Sequence, residues 1–260
     1  MGSLIDKYIF SFYTVKDQRA KELALPFTES PPIPMLILVF SYITLFNYGP
    51  KLMAKRKAFV LKNFMIFYNL LQVLMNTLAA IAALYFLFWK NGFNFKCHPI
   101  DTSNDVEYIF TYIYFAFKVI DLFDTVFIVL RKNNKQLSFL HCYHHLMMCC
   151  ATYTGIMWFP GGSAILLGVL NSFVHSIMYS YFLMTSLNNG KIKNSLWWKK
   201  HITHIQLIQF IILTVVYTQT FFAPNCSYPI YLRVVLLSQS VFMLYLFSNF
   251  YITAYVKKNK

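Results

Sequence analysis

Phe64-Met65-Ile66-Phe67-Tyr68-Asn69-Leu70-Leu71-Gln72-Val73-Leu74-Met75-Asn76-Thr77-Leu78-Ala79-Ala80-Ile81-Ala82-Ala83-Leu84-Tyr85-Phe86-Leu87-Phe88-Trp89 runs without a single charged side chain. A helix needs about 20 mostly apolar residues to cross the hydrocarbon core of a bilayer, and this stretch exceeds that length. Its Leu, Ile, Phe and Met follow one another without the period of two that a barrel strand would show, so it reads as a membrane-spanning helix. Working outward, comparable runs occupy 33–49, 107–130, 138–158, 163–187, 202–223 and 229–254. Of 260 residues, 58% are hydrophobic and 12% charged, too few polar groups to cover a soluble fold. The expectation is an all-α polytopic membrane protein with seven transmembrane helices, forming a single membrane-integral domain over 1–260.

Basic residues alternate by side. Lys51, Lys55, Arg56, Lys57 and Lys62 follow the first span, Arg131, Lys132 and Lys135 the third, and Lys191, Lys193, Lys199 and Lys200 the fifth. Lys257, Lys258 and Lys260 follow the seventh, and the remaining connections carry little positive charge. The positive-inside rule makes the basic set cytosolic, with a lumenal amino-terminal segment over 1–32 and a cytosolic tail over 255–260. The net charge of +14 is thus accounted for by topology and anionic lipid, and calls for no nucleic acid. No cleavable signal peptide is expected, because the first thirty residues mix Asp6, Lys7, Lys16, Asp17, Arg19, Lys21 and Glu22 with short apolar stretches. Lys257-Lys258-Asn259-Lys260 resembles a dilysine retrieval signal of endoplasmic-reticulum membrane proteins. Cys97 and Cys226 fall in the two connections assigned to the lumen, where an oxidising compartment permits a disulfide between them. Asn225-Cys226-Ser227 also fits a glycosylation sequon.

Ionisable groups at bilayer depth cost at least about 2.5 kcal/mol each, so they require partners or a wet cavity. Span three places Lys118, Asp121, Asp124 and Thr125 at three- and four-residue steps on one helical face. Span four opens His141-Cys142-Tyr143-His144-His145, with His141 one turn from both later imidazoles. Span five aligns Asn171, His175 and Tyr179, and span six aligns Gln206 and Gln209. Four polar stripes around one interior would line a chamber suited to chemistry.

Several chemistries fit these residue types. His-x-x-His-His occurs in membrane desaturases and hydroxylases, but those use several such boxes, and this chain has one box and seven histidines in all. A single metal on His141, His145 and Asp121 stays open. Covalent catalysis needs a nucleophile, a base and donors for an oxyanion, which an imidazole with Asn171, Tyr179, Gln206 or Lys118 could supply. Cys149, one turn beyond His145, is the rival nucleophile. A transporter also needs an intramembrane polar band, although no inverted repeat is evident among the spans.

Lys118-x-x-Asp121-x-x-Asp124-Thr125, His141-x-x-His144-His145, Asn171-x-x-Val174-His175-x-x-Met178-Tyr179 and Gln206-x-x-Gln209 together resemble, in order, the signatures of the very-long-chain fatty-acid elongases. The resemblance extends to Gly49-Pro50-Lys51-Leu52-Met53, Leu130-Arg131-Lys132, Phe139-Leu140-His141 and Leu196-Trp197-Trp198-Lys199. One departure is Asp121, where the family usually has Glu.

The resemblance implies spans two to seven ringed around an acyl tunnel in the endoplasmic-reticulum membrane. It implies condensation of a long-chain acyl-CoA with malonyl-CoA, with loss of carbon dioxide and no metal or redox cofactor. His144 is implied as the nucleophile of a ping-pong reaction and His175 as its assistant opposite. His141, His145 and Asp121 are implied to tune the nucleophile. Arg131, Lys132, Lys193, Lys199 and Lys200 are the natural candidates to hold the coenzyme A phosphates. Other enzymes of the elongation cycle and further copies of the chain are the expected protein partners. The Phe173-Val174-His175 stretch leans toward extension of already long chains.

Overall fold

The computed structural model describes residues 17–23, 25–28, 32–90, 92–103, 105–188 and 196–257, and all regular structure among them is helical. In chain order the helices are α1 (Gln18–Glu22), α2 (Ile33–Ala54), α3 (Lys62–Ala83), α4 (Asp105–Asp121), α5 (Phe123–Leu130), α6 (Phe139–Trp158), α7 (Ile165–Leu187), α8 (Leu196–Phe222) and α9 (Ile230–Tyr251). Wider π turns extend α3 through Leu84–Lys90 and α9 through Ile252–Val256. Among the described residues five stretches are long and apolar enough to cross a membrane: Ile33–Ala54, Lys62–Lys90, Gly162–Leu187, Trp197–Phe222 and Ile230–Val256. The chain is a multi-pass membrane protein. The two other expected spans are also helical but differ in kind. The stretch 107–130 is divided at Leu122 into pieces of 17 and 8 residues, each too short to cross alone. α6 has 20 residues but misses the apolarity threshold, as its three imidazoles lead one to expect.

Burial is inverted relative to a water-soluble protein. On α3 the buried positions are Tyr68, Asn69, Gln72, Asn76, Ala80 and Ala83, while Phe64, Phe67, Leu74, Leu78 and Ile81 face outward. A polar face turned inward and a greasy face turned outward is the arrangement lipid selects, because unsatisfied polar groups in hydrocarbon are costly and lipid tails are as apolar as leucine.

The helices fall into two compact units. The first draws on the chain up to Phe59 and on 101–161. In it α4 packs along α6, and α2 lies against α5. Its core gathers Tyr108, Phe115, Leu122, Tyr153, Ile156 and Met157 with Met35 and Tyr42 of α2. Gly49 is what lets α2 approach α5, since a Cβ there would stand 2.9 Å from Val129 Cγ1. The amino-terminal segment docks on this unit. The Asp17 N–H donates to the Met157 carbonyl (2.9 Å), and Phe27 meets Phe115 edge-on at 5.7 Å. Arg19 pairs with Asp17 (2.9 Å), donates to the Asp101 carbonyl (3.2 Å) and lies over the Tyr108 ring. After α6 the chain turns at Gly161, whose φ of 95° and close approach to the Glu107 side chain exclude any larger residue.

The second unit comprises Val60–Ile100 and the chain from Gly162 onward. α3 lies along α7 for most of its length, α8 pairs with α9, and α7 touches α8. Small polar groups stitch these contacts: Thr77 to Ser176 at 2.6 Å, Asn69 to Ser186 at 3.5 Å and Thr214 to Ser240 at 3.3 Å. Arg233 donates to the carbonyls of Thr220 and Phe221, satisfying the frayed end of α8. A disulfide joins Cys97 to Cys226, linking the connection after α3 to the one between α8 and α9.

Candidate active site

The first unit's polar cluster begins at the break between α4 and α5. The Leu122 N–H reaches back only to Val119 (3.3 Å) and Thr125 only to Leu122 (3.1 Å), so the helix tightens to three-residue hydrogen bonds there. Across this turn Lys118 Nζ meets Asp121 Oδ2 at 2.7 Å, each side chain 2% exposed. The ammonium also lies 4.8 Å above the Tyr114 ring. Lys118 therefore points to Asp121. Asp124 stands one residue before Thr125 and is half-buried.

α6 presents the imidazoles. Ser138 caps its first turn, its hydroxyl accepting from the His141 N–H at 3.2 Å, which seats the histidine box in the first two turns. The His141 and His145 rings lie 4.3 Å apart, and His144 meets His145 nearly edge-on at 5.6 Å. Lys118, Asp121 and His141 all come within electrostatic reach of His144. His141 Nε2 is bonded to Thr125 Oγ1 at 2.8 Å, and Thr125 to the Tyr42 hydroxyl at 3.0 Å. Cys149 is buried among the apolar core residues of this unit. Among the described residues no three His, Cys, Asp or Glu side chains are grouped as a metal-ligand set.

The second unit holds the remaining candidates. Asn171, His175 and Tyr179 are buried along α7, with His175 edge-on to Tyr179 at 5.6 Å. On α8, Gln209 is buried and the Gln206 amide lies 3.8 Å from Met178 sulfur. The α3 stripe joins this group. Asn76 donates to Gln72 Oε1 (3.0 Å), Gln72 donates to the Tyr68 hydroxyl (2.9 Å), and Tyr68 stands edge-on to Tyr179 at 5.9 Å. Sequence reasoning passed over this ladder and Tyr42. Asn69, Gln72 and Asn76 share the three- and four-residue spacing that marked the other stripes, so the signal was there for α3. Nothing local to Tyr42 shows that it reaches another helix.

The basic candidates have different occupations. Lys132 turns its ammonium onto the carbonyls of Ala54 (3.0 Å) and Arg56 (3.1 Å), closing the carboxyl end of α2. Arg131 caps α5 and is partly exposed. Lys199 and Lys200 stand in the first turn of α8, where Lys200 lies 6.0 Å from the Tyr251 ring. Nearby, His204 Nε2 and the Tyr251 hydroxyl are 3.0 Å apart. Lys193, Lys258 and Lys260 lie outside the described residues.

A buried ammonium–carboxylate pair beside clustered imidazoles at a helix amino terminus suits a reaction that develops negative charge on oxygen. The model of the GNS1/SUR4 family matches residues 27–260. Very long chain fatty acid elongase 7 of Drosophila melanogaster is 37% identical over 252 residues, 94% of this chain and 74% of its own length. Elongase 1 of Mus musculus is 36% identical over 89% of this chain and 84% of its own. Elongase 4 of Homo sapiens is 35% identical over 95% of this chain and 78% of its own. With so much of both partners aligned, the chain belongs to the GNS1/SUR4 family of very long chain fatty acid elongases.

Proposed function

We propose that the chain is a very-long-chain 3-oxoacyl-CoA synthase of the endoplasmic-reticulum membrane, condensing a long-chain acyl-CoA with malonyl-CoA. The observation that carries this reading is the clustering of His141, His144 and His145 with the buried Lys118–Asp121 pair in a chain whose relatives are named elongases. An imidazole nitrogen of His144 attacks the thioester carbonyl, and the carbon–sulfur bond breaks to release coenzyme A. Malonyl-CoA then loses carbon dioxide, and the resulting enolate forms a carbon–carbon bond with the acyl carbonyl while the imidazole leaves. Asp121 and Lys118 hold the local charge balance as the acyl-imidazole forms and collapses. His175, with Asn171 and Tyr179, assists the second half-reaction.

Seven spans, with α4 and α5 together making the third and α6 the fourth, and spans two to seven ringed around an acyl tunnel, follow from the family resemblance. The cytosolic carboxyl terminus and its retrieval signal belong to the same proposal. So do contacts with the other enzymes of the elongation cycle, and coenzyme A held by Arg131, Lys132, Lys193, Lys199 and Lys200. No metal or redox cofactor enters the reaction.

The test is turnover. Purified protein in lipid nanodiscs, given a long-chain acyl-CoA and carbon-labelled malonyl-CoA, is expected to release carbon dioxide and form labelled 3-oxoacyl-CoA two carbons longer. Protein that consumes neither substrate, across a series of acyl lengths, contradicts the reading.

A further inference from the structure

Three elements of the first unit converge on His141. Its backbone N–H is held by the Ser138 hydroxyl at the start of α6. Its ring nitrogen Nε2 is held by Thr125 at 2.8 Å, at the point where the helix has tightened to three-residue hydrogen bonds. Thr125 in turn is held at 3.0 Å by the Tyr42 hydroxyl, which comes from α2. Thr125 is fully buried and Tyr42 is 4% exposed, so water does not substitute for either contact.

Tyr42 is out of character for its helix. α2 turns Leu36, Ile37, Phe40 and Ile43 outward and buries only Met35, Tyr42, Gly49 and Met53, a narrow stripe of near-heptad spacing. A phenol in that stripe must find a partner or forfeit the cost of dehydrating its hydroxyl. Phenylalanine would pack there equally well, so the hydroxyl is a requirement of the network and not of the packing.

We propose that Tyr42 and Thr125 are positioning residues for the histidine box: a two-hydroxyl relay from the first span that fixes the ring orientation and tautomer of His141. A threonine hydroxyl has one proton, so a chain of hydroxyls runs in a single direction. With Tyr42 as the donor to Thr125, Thr125 donates to His141 Nε2 and the ring proton stays on Nδ1; this is the direction the proposal assigns. His141 held in this way sets its face against His145, 4.3 Å away, and through the cluster steadies His144. The first span is thus coupled to the chemistry and is more than a membrane anchor. This assignment rests on the condensation reading given above.

The test is a double-mutant cycle on steady-state turnover. Tyr42→Phe, which removes one hydrogen bond, and Thr125→Val, which removes both that the Thr125 hydroxyl makes, are each expected to lower kcat by about tenfold or more without loss of packing, with KM for the acyl-CoA unchanged. Thr125→Ser restores most of the rate. The Tyr42→Phe/Thr125→Val double variant is no slower than Thr125→Val alone, because the relay passes through Thr125. Additive losses, failure of Thr125→Ser to rescue, or wild-type kcat in both single variants overturns the relay. Thermal melting of each detergent-solubilised variant identifies a folding defect, and Tyr42→Phe serves as the near-isosteric arm if Thr125→Val proves unstable. A wild-type protein without condensation activity overturns the functional reading, and with it this assignment; an active wild type with unaffected variants overturns the relay alone.

Discussion

Lys118 and Asp121 neutralise one another at 2.7 Å in a site sealed from water, and a buried pair of this kind is more fragile to halving than to removal. Lys118→Met removes the ammonium paired with the buried Asp121 carboxylate and is expected to cost about 3–5 kcal/mol, read as a lowered melting temperature in detergent. Lys118→Met/Asp121→Leu should melt above either single variant while remaining inactive. A double variant less stable than both singles would mean that the pair organises the fold beyond its own charges. At this scale the sequence was informative about residue type and spacing and silent about direction. Spacing put Lys118, Asp121 and Thr125 on one face, but only the tertiary structure shows that Lys118 turns to Asp121 and Thr125 to His141. Lys132, a phosphate candidate by its charge, also donates to two backbone carbonyls, a contact that spacing does not show.

The helices were legible because a membrane span is a composition before it is a shape. The apolar runs coincide with helices to within a few residues over most of the chain. The exceptions have physical causes. α8 begins at Leu196 and not near 202, because a helix does not stop where the hydrocarbon ends and Trp197, Lys199 and Lys200 suit the interface. The stretch 107–130 is interrupted at Leu122, where the backbone hydrogen bonds shorten to three-residue steps beside the polar residues Asp121 and Thr125. The α2–α5 contact offers a test. A side chain at Gly49 would crowd Val129, so Gly49→Ala is expected to destabilise by about 1–3 kcal/mol. Gly49→Ala/Val129→Ala should recover part of that loss in the same thermal assay, and a double variant that is simply the sum of its parts would place the strain elsewhere.

At the scale of each unit, buried polar side chains share the interior with apolar ones while many large apolar side chains face outward, as on α3, and a composition with few charges is what calls for that outward face. What no single stretch could convey was which stripes meet within each unit. α3 contributes Gln72 and Asn76 to the group around Tyr179, and the amino-terminal segment packs its Arg19 and Phe27 onto the first unit. These contacts come from tertiary packing between segments far apart in the chain, where local periodicity has nothing to report. In the proposed mechanism an imidazole of the α6 box carries the acyl group. Intact-protein mass spectrometry, after incubation with a long-chain acyl-CoA alone, compares wild type with His144→Ala and Cys149→Ala. One added acyl mass is expected in wild type and in Cys149→Ala, and none in His144→Ala. An adduct that persists in His144→Ala, or that vanishes in Cys149→Ala, would contradict it.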